Sequence, residues 1–333
     1  MKKWMQSAFA AAMLLSCFAC APRLMTQGDP VVTPRDELEA LVMSDGAHLP
    51  LRSWKAQEPK AVLLGLHGFN DYSNAFAMPG EWFAARGVAV YAYDQRGFGR
   101  APGHGLWAGP ERMSEDLRSV VKLLQSRHPG LPFYIVGESM GGALLMRSMA
   151  EPDAPQVQGI ILAAPAVWGW RSLNVLYSSV LWTSAHLVPG WSVSGRGLGR
   201  QASDNIEMLR GLGRDPLVIK ETKIGTIYGL VDLMDRGAAA APRIDAPVLL
   251  MYGAREEIVP AEPVAAALRQ MRPGGRVTPV CYPNGWHMLL RDNDREIVWR
   301  DMEAWMSDQT AALPSAFSDL APCGPLARGE DNP

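Results

Sequence analysis

Short apolar runs recur along the chain and alternate with longer segments of helical character. The runs occupy residues 61–66, 88–93, 133–136, 159–163, 247–252 and 276–281. Strands that are apolar on both faces are typical of a parallel sheet covered by helices on each side. Residues 49–54 are expected to add an antiparallel edge strand. The pattern therefore predicts an α/β fold whose central sheet is mostly parallel, with helices on both faces.

The alternation stops between residues 166 and 245, a stretch that we call the cap segment. It contains helical patches and several large aromatic residues, namely Trp168, Trp170, Tyr177, Trp182 and Trp191. Because the strand rhythm resumes at Pro247, we predict that residues 38–165 and 246–307 form the core and that the cap segment is a helical insertion over the sheet. Residues 308–333 hold four prolines and little periodicity, so we predict a disordered tail.

The N-terminus has the three parts of a secretory signal. Lys2 and Lys3 precede an apolar run over residues 8–15, and small residues and cysteines follow that run. The run is too short to cross a membrane, since a spanning helix needs about 20 apolar residues. We therefore predict a signal peptide over residues 1–20 and a linker over residues 21–37.

A cysteine at the end of such a signal resembles the lipobox of bacterial lipoproteins, in which the new N-terminal cysteine carries a lipid. Cys20, between Ala19 and Ala21, is the predicted lipidation site, and Cys17 is the alternative. The expected location is the bacterial cell envelope, with the chain anchored to a membrane through this lipid. A secreted or periplasmic protein is the alternative.

The composition argues against several other classes of protein. The chain has 333 residues, 32 basic and 34 acidic side chains, a net charge of −2 and a hydrophobic share of 48%. These values are ordinary for a globular protein, and without a basic run we expect no nucleic-acid partner. No His/Cys cluster has metal-ligand spacing and no glycine-rich loop fits a dinucleotide, so we expect no metal and no cofactor. Cys281 and Cys323 are expected to remain unbridged.

The motif G-x-S-x-G occurs at residues 137–141, with Ser139 at its centre. Glycines on both sides permit a strand to turn sharply into a helix with the serine exposed at the apex. Residues 133–136 have the pattern of the required strand, and residues 142–150 have that of the required helix. We therefore predict that Ser139 is a catalytic nucleophile, which needs a base within reach.

The base can be found by elimination among six histidines. Five of them lie in predicted hairpin, turn, loop, helix-end or insertion positions, namely His48, His67, His104, His128 and His186. His287 follows the last predicted strand, at the carboxyl edge of the sheet where the turn displays Ser139. His287 is therefore the predicted general base.

A third residue must orient the imidazole and stabilise its protonated form. The loop after the first strand beyond the cap segment carries Glu256 and Glu257. Glu256, at the third position after Gly253, is the predicted acid, and Glu257 remains the alternative. The order Ser139, Glu256, His287 is that of α/β-hydrolases.

A tetrahedral intermediate also needs hydrogen-bond donors for its oxyanion. His67, Gly68 and Phe69 follow the first apolar run, where such a loop belongs in this fold. The backbone N–H groups of Phe69 and Met140 are therefore the predicted donors.

Four motifs together resemble the monoacylglycerol lipase and lysophospholipase branch of the α/β-hydrolases, a group related to the S33 serine aminopeptidases. They lie at residues 67–69, 94–99, 137–142 and 284–290. The resemblance covers residues 49–306 and implies hydrolysis of a single-chain lipid ester under a mobile cap. Glu256 departs from it, since that branch usually has Asp there, and residues 203–205 resemble a segment of the family's cap.

The predicted activity is hydrolysis of a monoacylglycerol or a lysophospholipid through an acyl-enzyme, with that lipid ester as the partner. A general carboxylesterase or a peptidase of the same fold is the alternative, because a fold does not fix a substrate. A surface lipoprotein built on an inactive hydrolase scaffold is a third interpretation, which the presence of both Ser139 and His287 disfavours.

Overall fold

The structure is a computed structural model that describes residues 25–26, 28–195, 197, 199–271 and 276–329. The predicted signal peptide, with Cys17 and Cys20, lies outside the described residues.

The described chain contains a large central sheet and a small one. Its strands are β1 (Arg35–Asp36), β2 (Ala40–Val42), β3 (His48–Trp54), β4 (Ala61–Leu66), β5 (Val88–Tyr93), β6 (Phe133–Glu138), β7 (Gly159–Ala163), β8 (Ser192–Val193), β9 (Thr222–Lys223), β10 (Val248–Gly253) and β11 (Val277–Tyr282). The central sheet has the order β1-β2-β3-β5-β4-β6-β7-β10-β11, and β8 pairs with β9 in the cap segment. The strands from β5 to β11 in this order run parallel, while β3 is antiparallel to β5. The mostly parallel sheet is as predicted.

Helices connect the parallel strands and cover the sheet. The α-helices of the described chain are α1 (Ala77–Ala84), α2 (Pro110–Arg127), α3 (Met140–Met149), α4 (Val175–Leu187), α5 (Ile206–Arg214), α6 (Ile224–Ala240), α7 (Ala261–Met271) and α8 (Arg295–Ser307). Short 3₁₀ segments occur at Ser73–Phe76, Ala241–Arg243 and Ala321–Gly329. No helix of the described residues is both long enough and apolar enough to cross a membrane.

The sheet is buried on both faces, which explains its uninterrupted apolar strands. Every residue of β4, β5, β6, β7 and β10 is buried. Along β4, Val62 and Leu64 pack into the core on one face, and Leu63 packs into the core on the other. Each such side chain contributes about 1.5–3 kcal/mol when it is removed from water, so the two layers of helices hold the sheet firmly.

The parallel strands end together at one edge of the sheet. Leu66 at the end of β4 pairs with Gly137 in β6, and Gly253 at the end of β10 pairs with Tyr282 at the end of β11. The loops that follow these four strands therefore meet at this edge. They are the loops that carry the predicted oxyanion donors, nucleophile, acid and base.

The cap segment packs directly on the helix that follows the nucleophile. A Cβ atom placed on Gly237 of α6 would lie 2.8 Å from the carbonyl oxygen of Ala143 in α3, so a larger residue has no room there. Helix α4 packs in turn against α6. The cap segment is thus attached to the core through the contact between α6 and α3.

The prediction of a disordered tail is wrong for residues 308–329. Leu320 and Leu326 are fully buried in the core, and the segment Ala321–Gly329 packs against α7. Pro322, Gly324 and Pro325 lie between the two leucines, so no sustained helical or strand period in the sequence reveals their burial.

The expectation that Cys281 and Cys323 stay unbridged is also wrong. They form a disulfide with Cα atoms 5.9 Å apart, although 42 positions separate them in the sequence. The tail runs back along β11, where the N–H of Cys281 donates to the carbonyl oxygen of Phe317. Only this return path brings the two sulfur atoms together, and spacing in the sequence does not encode it.

Candidate active site

Ser139 lies at the turn between β6 and α3 and has a strained backbone. Its φ of 53° and ψ of −113° fall in a region that residues other than glycine rarely adopt. A Cβ atom on Gly137 would lie 2.5 Å from the carbonyl oxygen of Gly141, and one on Gly141 would lie 2.2 Å from that of Leu66. Both glycines of the motif are therefore required, and the tight turn presents the serine side chain at the edge of the sheet.

His287 lies on the loop after β11 and contacts the acid predicted from the sequence. Its Nδ1 is 2.6 Å from Oε2 of Glu256, and both side chains are buried. Because a carboxylate only accepts hydrogen bonds, Nδ1 carries the proton and Nε2 is left as the base. Ser139 and His287 line the same cavity. The structure thus brings the predicted nucleophile, base and acid to one site.

The carboxylate of Glu256 is held by both of its oxygens. Oε1 accepts hydrogen bonds from the backbone N–H groups of Ile258 and Val259, at 2.5 and 3.0 Å, while Oε2 faces the imidazole. These donors fix a side chain that is one methylene longer than Asp. Glu257, the alternative acid, instead accepts a hydrogen bond from the backbone N–H of Gln201 at 2.8 Å and turns toward the cap segment.

The surroundings of His287 favour its protonated form. Burial alone disfavours the imidazolium, but the charge and the hydrogen bond of Glu256 outweigh burial, and Glu138 adds a further negative charge while Arg291 opposes it. The net effect raises the pKa of His287 above its ordinary value of 6.5. A more basic imidazole takes the proton of a serine hydroxyl more readily, provided that it is neutral beforehand.

The predicted oxyanion loop packs against the nucleophile. A Cβ atom placed on Gly68 would lie 3.5 Å from Cβ of Ser139. Among the described residues, the N–H of Phe69 donates to no backbone carbonyl outside regular helices and strands. Met140 is the first residue of α3, where N–H groups have no acceptor within the helix. Both predicted donors are therefore free to bind an oxyanion beside Ser139.

His67 fixes the shape of this loop without acting as a base. Its Nδ1 donates to the carbonyl oxygen of Gly68 at 2.8 Å, and its Nε2 accepts from the N–H of Gln95 at 3.0 Å. The side chain of Gln95 also donates to the carbonyl of His67. Complete burial lowers the pKa of His67 despite nearby carboxylates, so the ring is neutral and its tautomer is set by these bonds.

A cavity of about 400 Å³ opens at Ser139. Its walls are mostly apolar and come from the cap segment and from loops at the sheet edge, namely Phe69, Ala166, Trp168, Ala202, Ile227, Leu230, Val231, Met234, Ile258, Val259 and Met288. Trp182 and Trp191, which the sequence placed among the cap aromatics, are instead 54% and 68% exposed. The cavity has the size and lining of a site for an apolar ligand.

Three buried charged residues at this cavity were not predicted from the sequence. Arg291 donates from Nη1 to Oδ2 of Asp71 at 2.7 Å and from Nη2 to Oε2 of Glu138 at 2.8 Å. Burial opposes the charge of Arg291, but the two carboxylates raise its pKa above the ordinary value. The sequence did contain a signal for a buried charge at this position, because the charged residue Arg291 directly follows the apolar residues 288–290 in the loop after β11.

Asp292 joins the loop after β11 to the cap segment. Its Oδ2 accepts from the N–H of Trp286 at 2.8 Å, and its Oδ1 accepts from the hydroxyl of Ser203 at 2.6 Å. The side-chain amide of Asn205 donates to the carbonyl oxygen of Arg291 at 2.9 Å. Residues 203–205 of the cap segment, which the family resemblance singled out, therefore bind the loop that carries the base.

The chain is similar to known proteins over most of its length. A family profile described as "Serine aminopeptidase, S33" matches residues 57–294. The monoacylglycerol lipase of Mycolicibacterium smegmatis is 24% identical over 251 residues, which cover 75% of this chain and 89% of that protein. The monoglyceride lipase of Homo sapiens is 24% identical over 296 residues, which cover 86% of this chain and 96% of that protein.

A solved structure supports the same assignment of the fold. A soluble variant of the monoglyceride lipase from Saccharomyces cerevisiae, in complex with a substrate analogue, matches with a TM-score of 0.68 at 20% identity. The match covers 87% of this chain and 99% of that chain. It confirms the α/β-hydrolase fold that the sequence predicts.

Proposed function

The chain belongs to the serine aminopeptidase S33 family of α/β-hydrolases, and we propose that it is a serine hydrolase that cleaves carboxylic esters of single-chain lipids. One observation carries the proposal. The apolar cavity of about 400 Å³ opens on Ser139 beside the pair formed by His287 and Glu256, so an acyl chain held there has its ester carbonyl next to the nucleophile. The similarity to two lipases that act on monoacylglycerols supports this class of substrate.

In the first half of the reaction, Oγ of Ser139 attacks the ester carbonyl carbon while Nε2 of His287 takes the hydroxyl proton. The negative charge that develops on the carbonyl oxygen is stabilised by the N–H groups of Phe69 and Met140. His287 then gives its proton to the departing alcohol. The acyl group remains on Ser139 as an ester.

In the second half, Nε2 of His287 takes a proton from water, and the resulting hydroxide attacks the acyl-enzyme at the same oxyanion site. The proton returns to Ser139 as the fatty acid leaves. Glu256 remains ionised throughout and stabilises the imidazolium of each step, since its carboxylate also accepts two backbone hydrogen bonds from Ile258 and Val259.

The charges at the cavity favour an uncharged head group. The titratable residues of the described cavity lining are Asp71, Glu138, His287 and Arg291. Both terminal nitrogens of Arg291 bind carboxylates, so two carboxylates and one guanidinium leave a net charge of −1 beside the nucleophile. A phosphate near the ester is repelled by this charge, whereas glycerol is not. Among single-chain lipids, we therefore favour monoacylglycerols over lysophospholipids.

A substrate panel tests this proposal. Purified mature chain is assayed with a long-chain 1-monoacylglycerol, a lysophospholipid of equal chain length, a short p-nitrophenyl ester and an aminopeptidase substrate, with Ser139→Ala as the blank. We expect the highest kcat/KM for the monoacylglycerol. A preference for the lysophospholipid contradicts the head-group argument, activity on the short ester alone favours a general carboxylesterase, and cleavage of the peptide alone contradicts lipid hydrolysis.

We further propose that lipid on Cys20 anchors the mature chain to a membrane of the bacterial cell envelope. Helix α4 supports this location, because it contains no Asp, Glu, Lys or Arg and exposes Val175 and Leu187 at 82% and 67%. An apolar exposed surface of this kind is typical of a membrane-facing helix. The disulfide of the tail supports an oxidising compartment.

Cell fractionation tests the anchor. Wild-type chain is expected in the membrane fraction and Cys20→Ala in the soluble fraction, whereas Cys17→Ala stays with the membrane. Release of Cys17→Ala alone would instead place the lipid on Cys17, and membrane association of a variant that lacks both cysteines contradicts a lipid anchor at either position.

A further inference from the structure

Arg291 lies on the loop that carries the base, and its side chain contacts the oxyanion loop and the nucleophile turn. It follows the base by four positions, and its guanidinium is 2.7 Å from Asp71 and 2.8 Å from Glu138. Asp71 comes two positions after Phe69 of the oxyanion loop, and Glu138 directly precedes Ser139. One buried side chain therefore contacts both the oxyanion loop and the nucleophile turn.

The backbone of Arg291 is itself fixed in position. Its N–H donates to the carbonyl of Met288 at 2.7 Å, and its carbonyl accepts from the side chain of Asn205 in the cap segment at 2.9 Å. On the far side of the ion pair, Oδ1 of Asp71 accepts from the N–H of Tyr72 at 2.8 Å. The guanidinium thus spans two loops from a rigid support.

Stability alone does not account for this cluster. Arg291, Asp71 and Glu138 are at most 5% exposed, and removing three charges from water costs several kcal/mol per ion before their attraction is counted. Well-packed apolar residues of similar size often give equal or greater stability. Within the described chain, Oε1 of Glu138 and Nε of Arg291 also have no hydrogen-bond partner, so the cluster is not optimised as a stabilising network.

We infer that Arg291 is a positioning residue, which holds the oxyanion loop and the nucleophile turn in the relative placement that acyl transfer needs. Oxyanion donors act only when they lie within about 2.7–3.1 Å of the developing charge, so a small shift of one loop weakens them. Phe69 comes from one of the two loops and Met140 from the other. The bonds from Arg291 to Asp71 and Glu138 set the distance between these two donors.

The inference rests on the proposed ester hydrolysis and predicts a defect in the transition state. Asp71→Asn and Glu138→Gln each keep the shape of the side chain but remove its charge. For Asp71→Asn we expect kcat to fall 10- to 100-fold with KM within about twofold, because oxyanion donors act mainly on the transition state. Combining Asp71→Asn with Arg291→Gln should cost little more than the worse single change, since residues that act as a unit are not additive.

Glu138→Gln also changes the charge beside His287, and the pH profile separates this electrostatic effect from a loss of positioning. The charges that act on His287 come from Glu256 and Glu138, which favour its protonation, and from Arg291, which opposes it. Removing the Glu138 charge lowers the pKa of His287. The acid limb of the kcat/KM profile should therefore shift to lower pH in Glu138→Gln and to higher pH in Arg291→Gln.

The experiment measures kcat, KM and the pH profile on a short p-nitrophenyl ester, with the melting temperature as a check of folding. Arg300→Met is the matched control, because Arg300 is exposed and pairs only with Glu296 on its own helix in the described chain. If the variants melt at lower temperature but keep the wild-type kcat at the plateau of their pH profiles, Arg291 is structural and the inference is overturned. If wild-type protein cleaves no ester at all, the proposed function fails instead.

Discussion

Single side chains at the site are each held by several contacts that fix their direction and protonation. Ser139 is displayed by a strained turn, and His67 and His287 have tautomers set by their partners. Ser139 and His287 were predictable, because the motif and the position after the last strand are local features. The position after Gly253 favoured Glu256 as the acid but left Glu257 as an alternative, since the contacts of two adjacent glutamates differ only after folding.

Substitution of these two glutamates separates their roles. Glu256→Gln removes the charge that stabilises the imidazolium and should lower kcat by about 10³–10⁴-fold. Glu257→Gln loses one bond to a backbone N–H and should keep kcat within about threefold. Steady-state kinetics on a p-nitrophenyl ester provides the measurement. Comparable losses in the two variants contradict the assignment of Glu256 as the acid.

The pH dependence of the reaction follows from the surroundings of His287. The reaction needs a neutral imidazole, and the pKa of His287 is raised above 6.5 by the Glu256 carboxylate in spite of burial. Activity should therefore be lost as the pH falls through a midpoint above 6.5. The profile of kcat/KM against pH checks this sign, and a midpoint below 6.5 contradicts it.

At the scale of elements, the apolar strand pattern predicted which edge of the sheet carries the site. It predicted less well where the strand and helix at Ser139 end and begin, and it did not predict the contact between the cap segment and the loop after β11. The apolar run at residues 133–136 belongs to β6, which continues to Glu138, and α3 begins at Met140 rather than at Gly142. The differences arise because the turn at Ser139 is tight enough for strand and helix to meet without a loop. The bond between Asp292 and Ser203 joins segments 89 positions apart and could not be read from local pattern.

Loss of Asp292 should disturb the loop that carries the base. Asp292→Ala leaves the N–H of Trp286 and the hydroxyl of Ser203 without an acceptor, at a cost of about 1–3 kcal/mol for each buried group. We expect kcat/KM to fall about tenfold or more. Asp294→Ala, at an exposed position on the same loop, is the control and should stay within twofold. Equal kinetics for the two variants show that the link to the cap segment does not support catalysis.

Across the whole molecule, the α/β-hydrolase core was predictable from its alternating strands and helices, while the order of residues 308–329 was not. Proline and weak periodicity suggested disorder there, yet Leu320 and Leu326 are buried and Cys323 is bonded to Cys281. The tail is ordered here because the folded core supplies a surface that buries these side chains. The disulfide then fastens the tail to β11, the strand that leads to His287.

Removal of the disulfide should lower stability more than activity. Cys323→Ser frees a loop of 42 positions, which the chain-entropy estimate values at about 4 kcal/mol. The melting temperature should fall by about 5–10 °C for a chain of this size. Differential scanning calorimetry with and without a reductant checks the cause, because the reductant should destabilise the wild type but not Cys323→Ser. A reductant effect of equal size in both proteins contradicts it.

The proposed ester hydrolysis depends on Ser139 being a nucleophile activated by His287. Covalent labelling with a fluorophosphonate, followed by peptide mass spectrometry, tests this most directly. The probe should attach to Ser139 in the wild type, label Glu256→Gln and His287→Ala much more slowly, and leave Ser139→Ala unlabelled although that variant is folded. Labelling that persists in Ser139→Ala, or no labelling of the folded wild type, would contradict the account.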